Sequence, residues 1–240
     1  MLNVEQRARM HAALGEPVRL AIVDHLALGD VSPGELGRLV NLPTNLLAHH
    51  LRVLDEAGLI RRVKSEGDGR RSYVQLVQED PDVVSLTGAT AALAGSLAGS
   101  GRRVVFVCTQ NSARSQLAAA AWTQASRLPV ASAGTHPAPR IHPRAVKVGR
   151  RHGLALGKAR PAQIADVVET GDLLVAVCDN AFEELPATDQ PLLHWAVPDP
   201  ARLDTDEAFE SAYEQITQRV ERLADALRDS YAASEPGSTN

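Results

Sequence analysis

The sequence predicts two domains of different fold class: an N-terminal all-α domain with a β-hairpin, and a C-terminal α/β domain built on a doubly wound parallel sheet. Residues 3–79 carry short helical patterns and then two β-rich runs separated by a glycine-containing turn. From Arg102 onward, short apolar runs alternate with helical patterns, which is typical of parallel sheets. The chain has 240 residues, which is long enough to bury two separate cores.

Three helices are predicted before the hairpin. Pro17 suits the first turn of one helix, and Ser32 suits the cap of a second. Thr44 is the expected cap of a third helix, which ends at Gly58. The residues that the first of these helices is expected to bury are Leu20, Ile22, Val23 and Leu26.

The hairpin is predicted from two runs, 59–64 and 72–77, on either side of a turn at 66–70. Helix, helix, turn, helix and hairpin is the order of a winged helix-turn-helix domain. The stretch 46–60 resembles the ArsR/SmtB repressor family, and the resemblance extends over roughly 5–96. It implies a homodimer that binds a double-stranded DNA operator with the third helix in the major groove. The residues expected to contact DNA are Thr44, Asn45, His49, His50, Arg52, Arg70 and Arg71.

Charge limits where DNA can bind. The net charge of the chain is −4, so any DNA contact has to come from a local surface. Between residues 44 and 77 there are six basic and four acidic side chains, a balance opposite in sign to that of the whole chain. His49 and His50 are equally compatible with structural or solvated histidines. No cysteine precedes Cys108, which excludes a thiolate site for arsenite in this domain.

Composition also predicts the domain boundaries. The first domain is expected to span 1–97, and its Ala-, Leu- and Gly-rich end, 82–97, is expected to form a dimerisation helix, with a flexible linker as the alternative. A short Ser/Gly linker is predicted at 98–101, the second domain at 102–231, and a disordered tail at 232–240.

The second domain is predicted from its alternating pattern. Strands are expected at 103–108, 129–133, 173–178 and 192–194. Helices are expected at 114–127, 143–152 and 206–229. Strands separated by helices imply a parallel sheet with helices on both faces, and ligands bind such sheets at the carboxyl ends of the strands. Cys108, Cys178 and Asp199 all follow strands, so one crevice is expected to hold all three.

The most informative segment runs from Cys108 to Ser115. A cysteine between a strand and a helix N-terminus faces unpaired N–H groups and partial positive charge, which favour a thiolate and a bound oxyanion. Arg114 can hold two oxyanion oxygens, and Ser115 can donate a hydrogen bond to the sulfur. Asn111 either braces the loop or tolerates a left-handed turn. Together these residues predict a nucleophilic thiolate that faces a tetrahedral anion.

This segment resembles the P-loop of the low-molecular-weight protein tyrosine phosphatases and of the related thiol-dependent arsenate reductases. The resemblance runs over about 102–227 and includes the blocks 132–135, 142–145, 173–179 and 194–200. It implies that Cys108 is the nucleophile, Asp199 the general acid and Cys178 a candidate resolving thiol. The oxyanion loop then consists of Thr109, Gln110, Asn111, Ser112, Ala113, Arg114 and Ser115.

The sequence departs from both branches of this family. Leu185 stands where reductases that use three cysteines have the third, and Ala113 stands where phosphatases commonly have a second cysteine. Residues 201–204 lack the aromatics that stack on a phosphotyrosine ring. Three functions stay open: arsenate reduction, phosphatase activity on phosphate esters, and sensing of an oxyanion or of redox state. A reductase would need an external thiol, namely thioredoxin, mycoredoxin or a low-molecular-weight thiol.

No cofactor or metal is expected, because the eight histidines show no zinc-ligand spacing. The sequence has no apolar run of about 18 residues and no apolar signal core at its N-terminus. Its two cysteines do not make a secreted disulfide framework. These features predict a cytoplasmic protein that does not associate with membranes.

Overall fold

The computed structural model describes residues 3–78, 83, 103–156, 159–186 and 190–234, with side chains to 228. The chain divides into two compact units, the first drawn mostly from residues 1–93 and the second from 94–240. The predicted linker at 98–101 lies outside the described residues, and so does the predicted dimerisation helix at 82–97 apart from Val83. Within the described part of the chain, no helix is long and apolar enough to cross a membrane.

The first unit begins with a helix that the sequence pattern does not predict. Its described helices are α1 (Val4–Leu14), α2 (Pro17–Leu26), α3 (Pro33–Leu39) and α4 (Thr44–Glu56). Asn3 caps α1: its side chain accepts from the Gln6 N–H at 2.8 Å, and the Gln6 side chain accepts from the Asn3 N–H at 3.2 Å. Only Met10 and Ala13 of α1 are buried. The helix was missed because so short an apolar stripe gives almost no periodic signal.

Helix α2 buries most of the residues that the sequence predicts to be buried. The Glu16 carboxylate caps it by accepting from two N–H groups of the first turn, and Pro17 occupies that turn. The buried residues are Ile22, Val23 and Leu26. The predicted burial of Leu20 is wrong, since 42% of this residue is exposed. At about 100° per residue, Leu20 lies roughly 120° around the helix from Leu26 and therefore misses the core.

The next two helices differ in how they begin. Ser32 caps α3, as predicted, by accepting from the Glu35 N–H at 3.3 Å. The predicted cap at Thr44 is wrong, because Thr44 is already helical and the capping position is Pro43, whose side chain has no oxygen to accept an N–H. The predicted stop at Gly58 is confirmed: its φ of 74° is left-handed, which glycine adopts without steric cost.

A two-stranded antiparallel sheet completes the first unit. Strands β1 (Ile60–Lys64) and β2 (Ser72–Leu76) pair from Ile60 with Leu76 to Lys64 with Ser72. The core of the unit includes Ile22, Leu26, Leu36, Leu51, Leu54, Leu59 and Val74. Because helices and hairpin share this core, the predicted helix–turn–helix and hairpin arrangement is confirmed.

The second unit is the predicted α/β domain. Its described strands are β3 (Arg103–Cys108), β4 (Val130–Gly134), β5 (Asp172–Ala176) and β6 (Leu192–His194). Its described helices are α5 (Arg114–Ala125), α6 (Pro143–Arg151), α7 (Ile164–Val167), α8 (Asp179–Glu184), α9 (Pro200–Leu203) and α10 (Asp206–Ser234). The four predicted strands and three predicted helices are all present. Helix α10 runs to Ser234 and so overlaps the first residues of the predicted tail, and residues 235–240 lie outside the described part.

The sheet topology places the site. All four strands are parallel in the order β4-β3-β5-β6. The chain leaves β3 for β4 on one side and then returns to β5 on the other side, so the sheet is doubly wound. Ligands bind where such a sheet reverses direction, outside the carboxyl ends of its strands. Here that point lies between β3, which ends at Cys108, and β5, which Cys178 follows.

Three aromatic residues fix the helix that follows the loop. Phe106 of β3 packs edge-on against Trp122 of α5 with ring centroids 5.9 Å apart, and against Trp195 at 5.6 Å. All three side chains are fully buried. Large aromatic rings contribute heavily to core stability, so this cluster holds α5 on β3 and fixes both ends of the intervening loop.

Charged side chains join α6 to the start of α10. Asp206 accepts hydrogen bonds from Arg144, Lys147 and Arg151. The bonds from Lys147 and Arg144 lower the pKa of Asp206 from 3.8 to about 2. The folded state therefore prefers the ionised carboxylate, and this preference stabilises it at every pH above about 4. The contribution disappears as the pH falls through about 2.

Asp206→Asn should therefore lower the melting temperature at pH 7 by a few degrees, and the loss should shrink steadily between about pH 4 and pH 2. Thermal unfolding followed by circular dichroism at each pH measures it. Glu207→Gln is the matched control, because this substitution also removes one negative charge from the first turn of α10. A pH-independent effect, or an equal loss in Glu207→Gln, would contradict the assigned ion pairs. High salt should also weaken the effect, because Asp206 is partly exposed.

Candidate functional site

The loop between β3 and α5 is held by its carbonyl groups. Four loop carbonyls accept backbone N–H groups from the segment after β4, at N···O distances of 2.8 to 3.2 Å. The acceptor–donor pairs are Cys108–Thr135, Thr109–His136, Gln110–Ala138 and Ser112–His142. Because the C=O and N–H of a peptide point in opposite directions, this leaves the loop N–H groups directed inward. Such a ring of N–H groups forms a concavity that suits an anion.

Cys108 lies at the centre of the inward-directed groups. Cys108 is 2% exposed, and its sulfur accepts the Asn111 N–H at 3.2 Å. The Ser115 Oγ lies 3.0 Å from the same sulfur and accepts from Asn111 Nδ2 at 2.8 Å. The amide thus holds that oxygen beside the sulfur, where its hydroxyl can donate to a thiolate. Hydrogen bonds of this kind stabilise a thiolate, which is the nucleophilic form of cysteine.

Asn111 both braces the loop and adopts a left-handed conformation. Its φ of 48° is left-handed, and its side chain is fully buried. Its Oδ1 accepts from the Ala162 N–H at 2.9 Å and from Gln116 Nε2 at 3.0 Å. Both partners were missed from the sequence; the only hint was a glutamine directly before the apolar run of α5. Gly134 is also required, since a Cβ there would lie 2.8 Å from the Thr109 carbonyl.

Arg114 is buried beside the loop. It is 5% exposed, its Nη1 donates to the Val197 carbonyl at 2.9 Å, and its Nη2 lies 3.3 Å from Asp199 Oδ2. Burial opposes its charge, but the negative charge available on Cys178, Cys108 and Asp199 prevails and raises the Arg114 pKa. A permanently charged guanidinium in this position can bind an oxyanion above the Cys108 sulfur.

Asp199 lies on the opposite wall of the crevice. Its Oδ1 accepts from the Ala201 N–H at 3.2 Å, which makes it the cap of α9. Its Oδ2 faces Arg114, and its side chain is about one-third exposed. Sequence placed Asp199 near the loop, and the geometry brings it within reach of the group that Arg114 would hold. A partly exposed carboxyl there can exchange protons with solvent and act as an acid.

Cys178 lies beside the loop. It is 2% exposed, its sulfur lies 3.6 Å from Thr109 Oγ1, and it receives the Ala181 N–H at 3.5 Å. Burial raises the pKa of the Cys178 thiol; Arg114 acts against this, and negative charge on Cys108 adds to it.

The strand register sets the distance between the two cysteines. Val107 of β3 pairs with Ala176 of β5, and the Val177 N–H donates to the Val107 carbonyl at 2.7 Å. Cys108 and Cys178 are thus on neighbouring strand ends, one step out of register. With strands about 4.8 Å apart and a rise of about 3.3 Å per residue, their Cα atoms are roughly 6 Å apart. That separation lies within the range that a disulfide spans.

A buried pair anchors the segment after Cys178. His194 Nε2 lies 2.9 Å from Asp179 Oδ1, and the His194 ring stacks on Phe182 at 4.2 Å. Asp179 is the first residue of α8, so the pair ties the start of this helix to the end of β6. The sequence does not predict this pair, because the two residues come from separate strand ends.

The wall after Asp199 bears on the choice of substrate. It continues through Ala201, Arg202 and Leu203, and Leu203 is largely exposed. Gln110 is the exposed tip of the loop, and Ser112 Oγ donates to its side chain at 3.4 Å.

Among the described residues, no group of three or more His, Cys, Asp or Glu side chains is arranged to hold a metal ion.

The residues predicted to contact DNA divide into two sets. Those that are exposed are Thr44, Asn45, His49 and Arg52 of α4 and Arg70 and Arg71 of the hairpin turn. Arg52 also bonds to Glu56 at 3.2 Å. The prediction for His50 is wrong: it is 8% exposed, and its Nδ1 lies 3.4 Å from Glu16 Oε2. His50 shares the inner face of α4 with Leu47, Leu51 and Leu54 and so points away from the exposed face.

Two family models match the chain. The low molecular weight phosphotyrosine protein phosphatase model matches residues 103–233, more than half of the chain, and a helix-turn-helix domain model matches residues 14–63. The arsenate reductase of Bacillus licheniformis is 30% identical over 135 residues, which are 52% of this chain and 96% of that protein. The arsenate reductase of Halalkalibacterium halodurans is 31% identical over 133 residues, 51% of this chain and 94% of that protein.

Among solved structures, the chain is similar to an arsenate reductase from Archaeoglobus fulgidus, with 28% sequence identity and a TM-score of 0.46. The match covers 51% of this chain and 98% of that chain. The two family models together confirm the predicted fusion, and the similarity to arsenate reductases and to the phosphatase family supports an enzyme of one of these two types. By the match over residues 103–233, the chain belongs to the low molecular weight phosphotyrosine protein phosphatase family, and a helix-turn-helix domain precedes the family domain.

Proposed function

We propose that this protein is a DNA-binding regulator that also reduces arsenate, with Cys108 as nucleophile and Cys178 as resolving thiol. The observation that carries the proposal is the second cysteine on the neighbouring strand end, 3.6 Å from a hydroxyl of the oxyanion loop. Reduction needs two electrons, and a pair of thiols supplies them when it becomes a disulfide. Hydrolysis of a phosphate ester would need only Cys108.

The first step forms a bond between sulfur and arsenic. The loop N–H groups and Arg114 bind arsenate, and the Cys108 thiolate attacks arsenic. Asp199 donates its proton to a hydroxyl group of the bound arsenate, which leaves as water. The product of this step is Cys108 joined through sulfur to arsenic(V).

The second step transfers the electrons. The Cys178 sulfur attacks the Cys108 sulfur, a disulfide forms, and the sulfur–arsenic bond breaks with its electron pair on arsenic. Arsenic(III) leaves as arsenite, and an arsenite oxygen takes up the Cys178 proton. Burial raises the pKa of Cys178, so this thiol holds its proton until it reacts.

The third step uses an external reductant. The sequence has two cysteines, and Leu185, the residue that ends α8, stands where a third would be needed to carry the disulfide outward. Thioredoxin, mycoredoxin or a low-molecular-weight thiol must then reduce the Cys108–Cys178 bond itself. Such reductants and DNA operators occur together in the cytoplasm, which is where we place the protein.

The crevice wall supports a small oxyanion over phosphotyrosine. Ala201, Arg202 and Leu203 offer no ring on which a phosphotyrosyl group could stack. Family membership nevertheless favours phosphatase activity as the second candidate, and the fused helix-turn-helix domain favours a third, in which the crevice only senses oxyanion or redox state.

For the first unit we propose an operator complex formed by a homodimer. The exposed side chains of α4 and the two arginines of the hairpin turn supply base and phosphate contacts. His50 is excluded from this set because it is buried.

Cys108 should be alkylated by iodoacetamide well before Cys178 at mildly acidic pH. The two residues are equally buried, so the difference arises from hydrogen bonds to the Cys108 sulfur and from the raised pKa of Cys178. Peptide mapping after partial alkylation measures both rates. Phosphate or arsenate should protect Cys108. Equal rates, without protection by either anion, would rule out an oxyanion-binding P-loop.

Arsenate turnover separates the three candidates. Wild type supplied with a thiol reductant should release arsenite, and Cys108→Ser should lose at least about 10³-fold, as expected for a missing nucleophile. Cys178→Ser should lose arsenate reduction but keep any hydrolysis of a chromogenic aryl phosphate. One turnover without reductant should leave a Cys108–Cys178 disulfide, visible by non-reducing peptide mapping.

Other outcomes reassign the function. If Cys178→Ser reduces arsenate as fast as wild type, Cys178 is a core residue and the reductant attacks at Cys108. Hydrolysis of the ester without arsenate reduction would establish the phosphatase, and neither activity under any reductant would favour the sensor.

Replacing Arg70 and Arg71 together by alanine should weaken DNA binding for all sequences and reduce the salt slope by about one to two units, since each phosphate contact contributes about 0.9. Affinity measured across a range of salt concentrations tests it. Arg127→Ala with Arg150→Ala removes the same charge from exposed positions of the second unit and is the matched control. If both double variants had the same affinity and the same salt slope, the hairpin turn would not contact DNA.

A further inference from the structure

We propose that Cys108 and Cys178 together form a dithiol site for trivalent arsenic, so that the protein binds arsenite as a ligand. This extends the proposed function, on which it rests for the source of the ligand, but binding itself needs no turnover of arsenate. Only reduced thiols and arsenite are required.

The spacing of the two cysteines favours a bridged ligand. Their Cα atoms are roughly 6 Å apart by strand register, and Thr109 Oγ1 lies 3.6 Å from the Cys178 sulfur. A disulfide requires the two sulfurs to approach to about 2.0 Å. An arsenic atom placed between them lengthens the bridge by one atom, so the sulfurs have less far to move. A pair placed to form a disulfide is therefore placed at least as well to hold arsenic.

The chemistry is an exchange of ligands without electron transfer. Arsenous acid has three hydroxyl groups on arsenic. Each cysteine thiol replaces one of them, and the displaced hydroxide leaves with the thiol proton as water. Two sulfur–arsenic bonds form, two waters are released, and one hydroxyl stays on arsenic(III). Soft thiolate ligands suit soft, polarisable centres such as this one.

The surroundings suit the bound product. Arg114, 5% exposed, interacts electrostatically with both Cys178 and Cys108, so it is close enough to donate to the remaining arsenic hydroxyl. Because burial raises the pKa of Cys178, the second sulfur enters as a neutral thiol, and the two sulfurs do not repel each other as paired anions. The loop that would hold an oxyanion surrounds the same sulfur, so phosphate and arsenite should compete.

The rest of the chain offers no second pair of thiols. The sequence contains two cysteines, both at this crevice, and the helix-turn-helix part has none. If arsenic(III) acts on this protein through thiols, it therefore acts here. The N-terminal domain alone cannot capture it in that way.

The test is a titration of reduced, full-length protein with arsenite. Excess ligand is removed, free thiols are counted with a chromogenic disulfide, and the adduct is weighed by native mass spectrometry. We expect one arsenic per chain, loss of both thiols, and an adduct within one chain. Phosphate should raise the arsenite concentration needed for half-saturation.

Single-cysteine variants supply the comparison. Cys108→Ser, Cys178→Ser and Cys178→Ala should each bind at least about 100-fold more weakly, the lower end of the gain from joining two binding groups. Circular dichroism and alkylation of the remaining cysteine confirm that each variant is folded. Phenylarsine oxide, which also takes two sulfurs, should follow the same order.

Three results would overturn the dithiol site: loss of one thiol per arsenic, wild-type affinity in folded Cys178 variants, or adducts that join two chains. Arsenate turnover is measured separately, so failure of arsenite binding does not imply failure of the reductase proposal. Equally, wild-type protein can bind one arsenic per chain with loss of both thiols even if it never reduces arsenate.

Discussion

The register between β3 and β5 is the constraint on which the whole crevice depends. Val107 opposite Ala176 brings the carboxyl ends of the two strands to one level, where the sheet reverses direction. One residue beyond β3 is a loop of inward N–H groups, and just beyond β5 is a second thiol. A shift of one residue would turn every side chain of the buried β5 to the opposite face and separate Asp172 from Arg103, which donates to both of its oxygens, so packing and this ion pair hold the register. Packing of the core thus determines the distance between two reactive sulfurs.

The loop itself is maintained at some conformational cost. Asn111 is left-handed, a conformation that costs of order 1 kcal/mol or more for a residue with a side chain. The cost is offset because its buried amide makes three hydrogen bonds, to Ser115, Ala162 and Gln116. Removing the amide would take away the donor that holds the Ser115 hydroxyl beside the Cys108 sulfur. The nucleophilic role proposed for Cys108 would therefore depend on a residue that need never touch the substrate.

Sequence patterns predicted the second domain almost completely, because its signals are local. Strand β3 was predicted at its observed bounds, since an apolar run ends abruptly at the loop, and Cys108, Arg114 and Asn111 lie within one short motif. Features that depend on tertiary contact were missed. Helix α1 buries little of its length, and His50 points inward although its neighbour His49 is exposed. The face of a helix that is buried depends on what packs against it, which periodicity over ten residues defines only to within about a third of a turn.

The pair formed by Asp179 and His194 bears on how a disulfide between the two cysteines would be reduced. Both cysteines are 2% exposed, so an external reductant reaches the bond only if part of the crevice opens. The segment between Cys178 and Leu185 is the short helix α8, and its first residue is held by a buried hydrogen bond and its Phe182 by a stacked ring. A buried hydrogen bond that is broken takes a partner from both of its polar groups, which makes a closed α8 the stable state of the reduced protein. Formation of a disulfide draws Cys178 toward Cys108 and pulls directly on the residue that this pair anchors. The same bond that ends a turnover would thereby strain the contact that keeps reductants out.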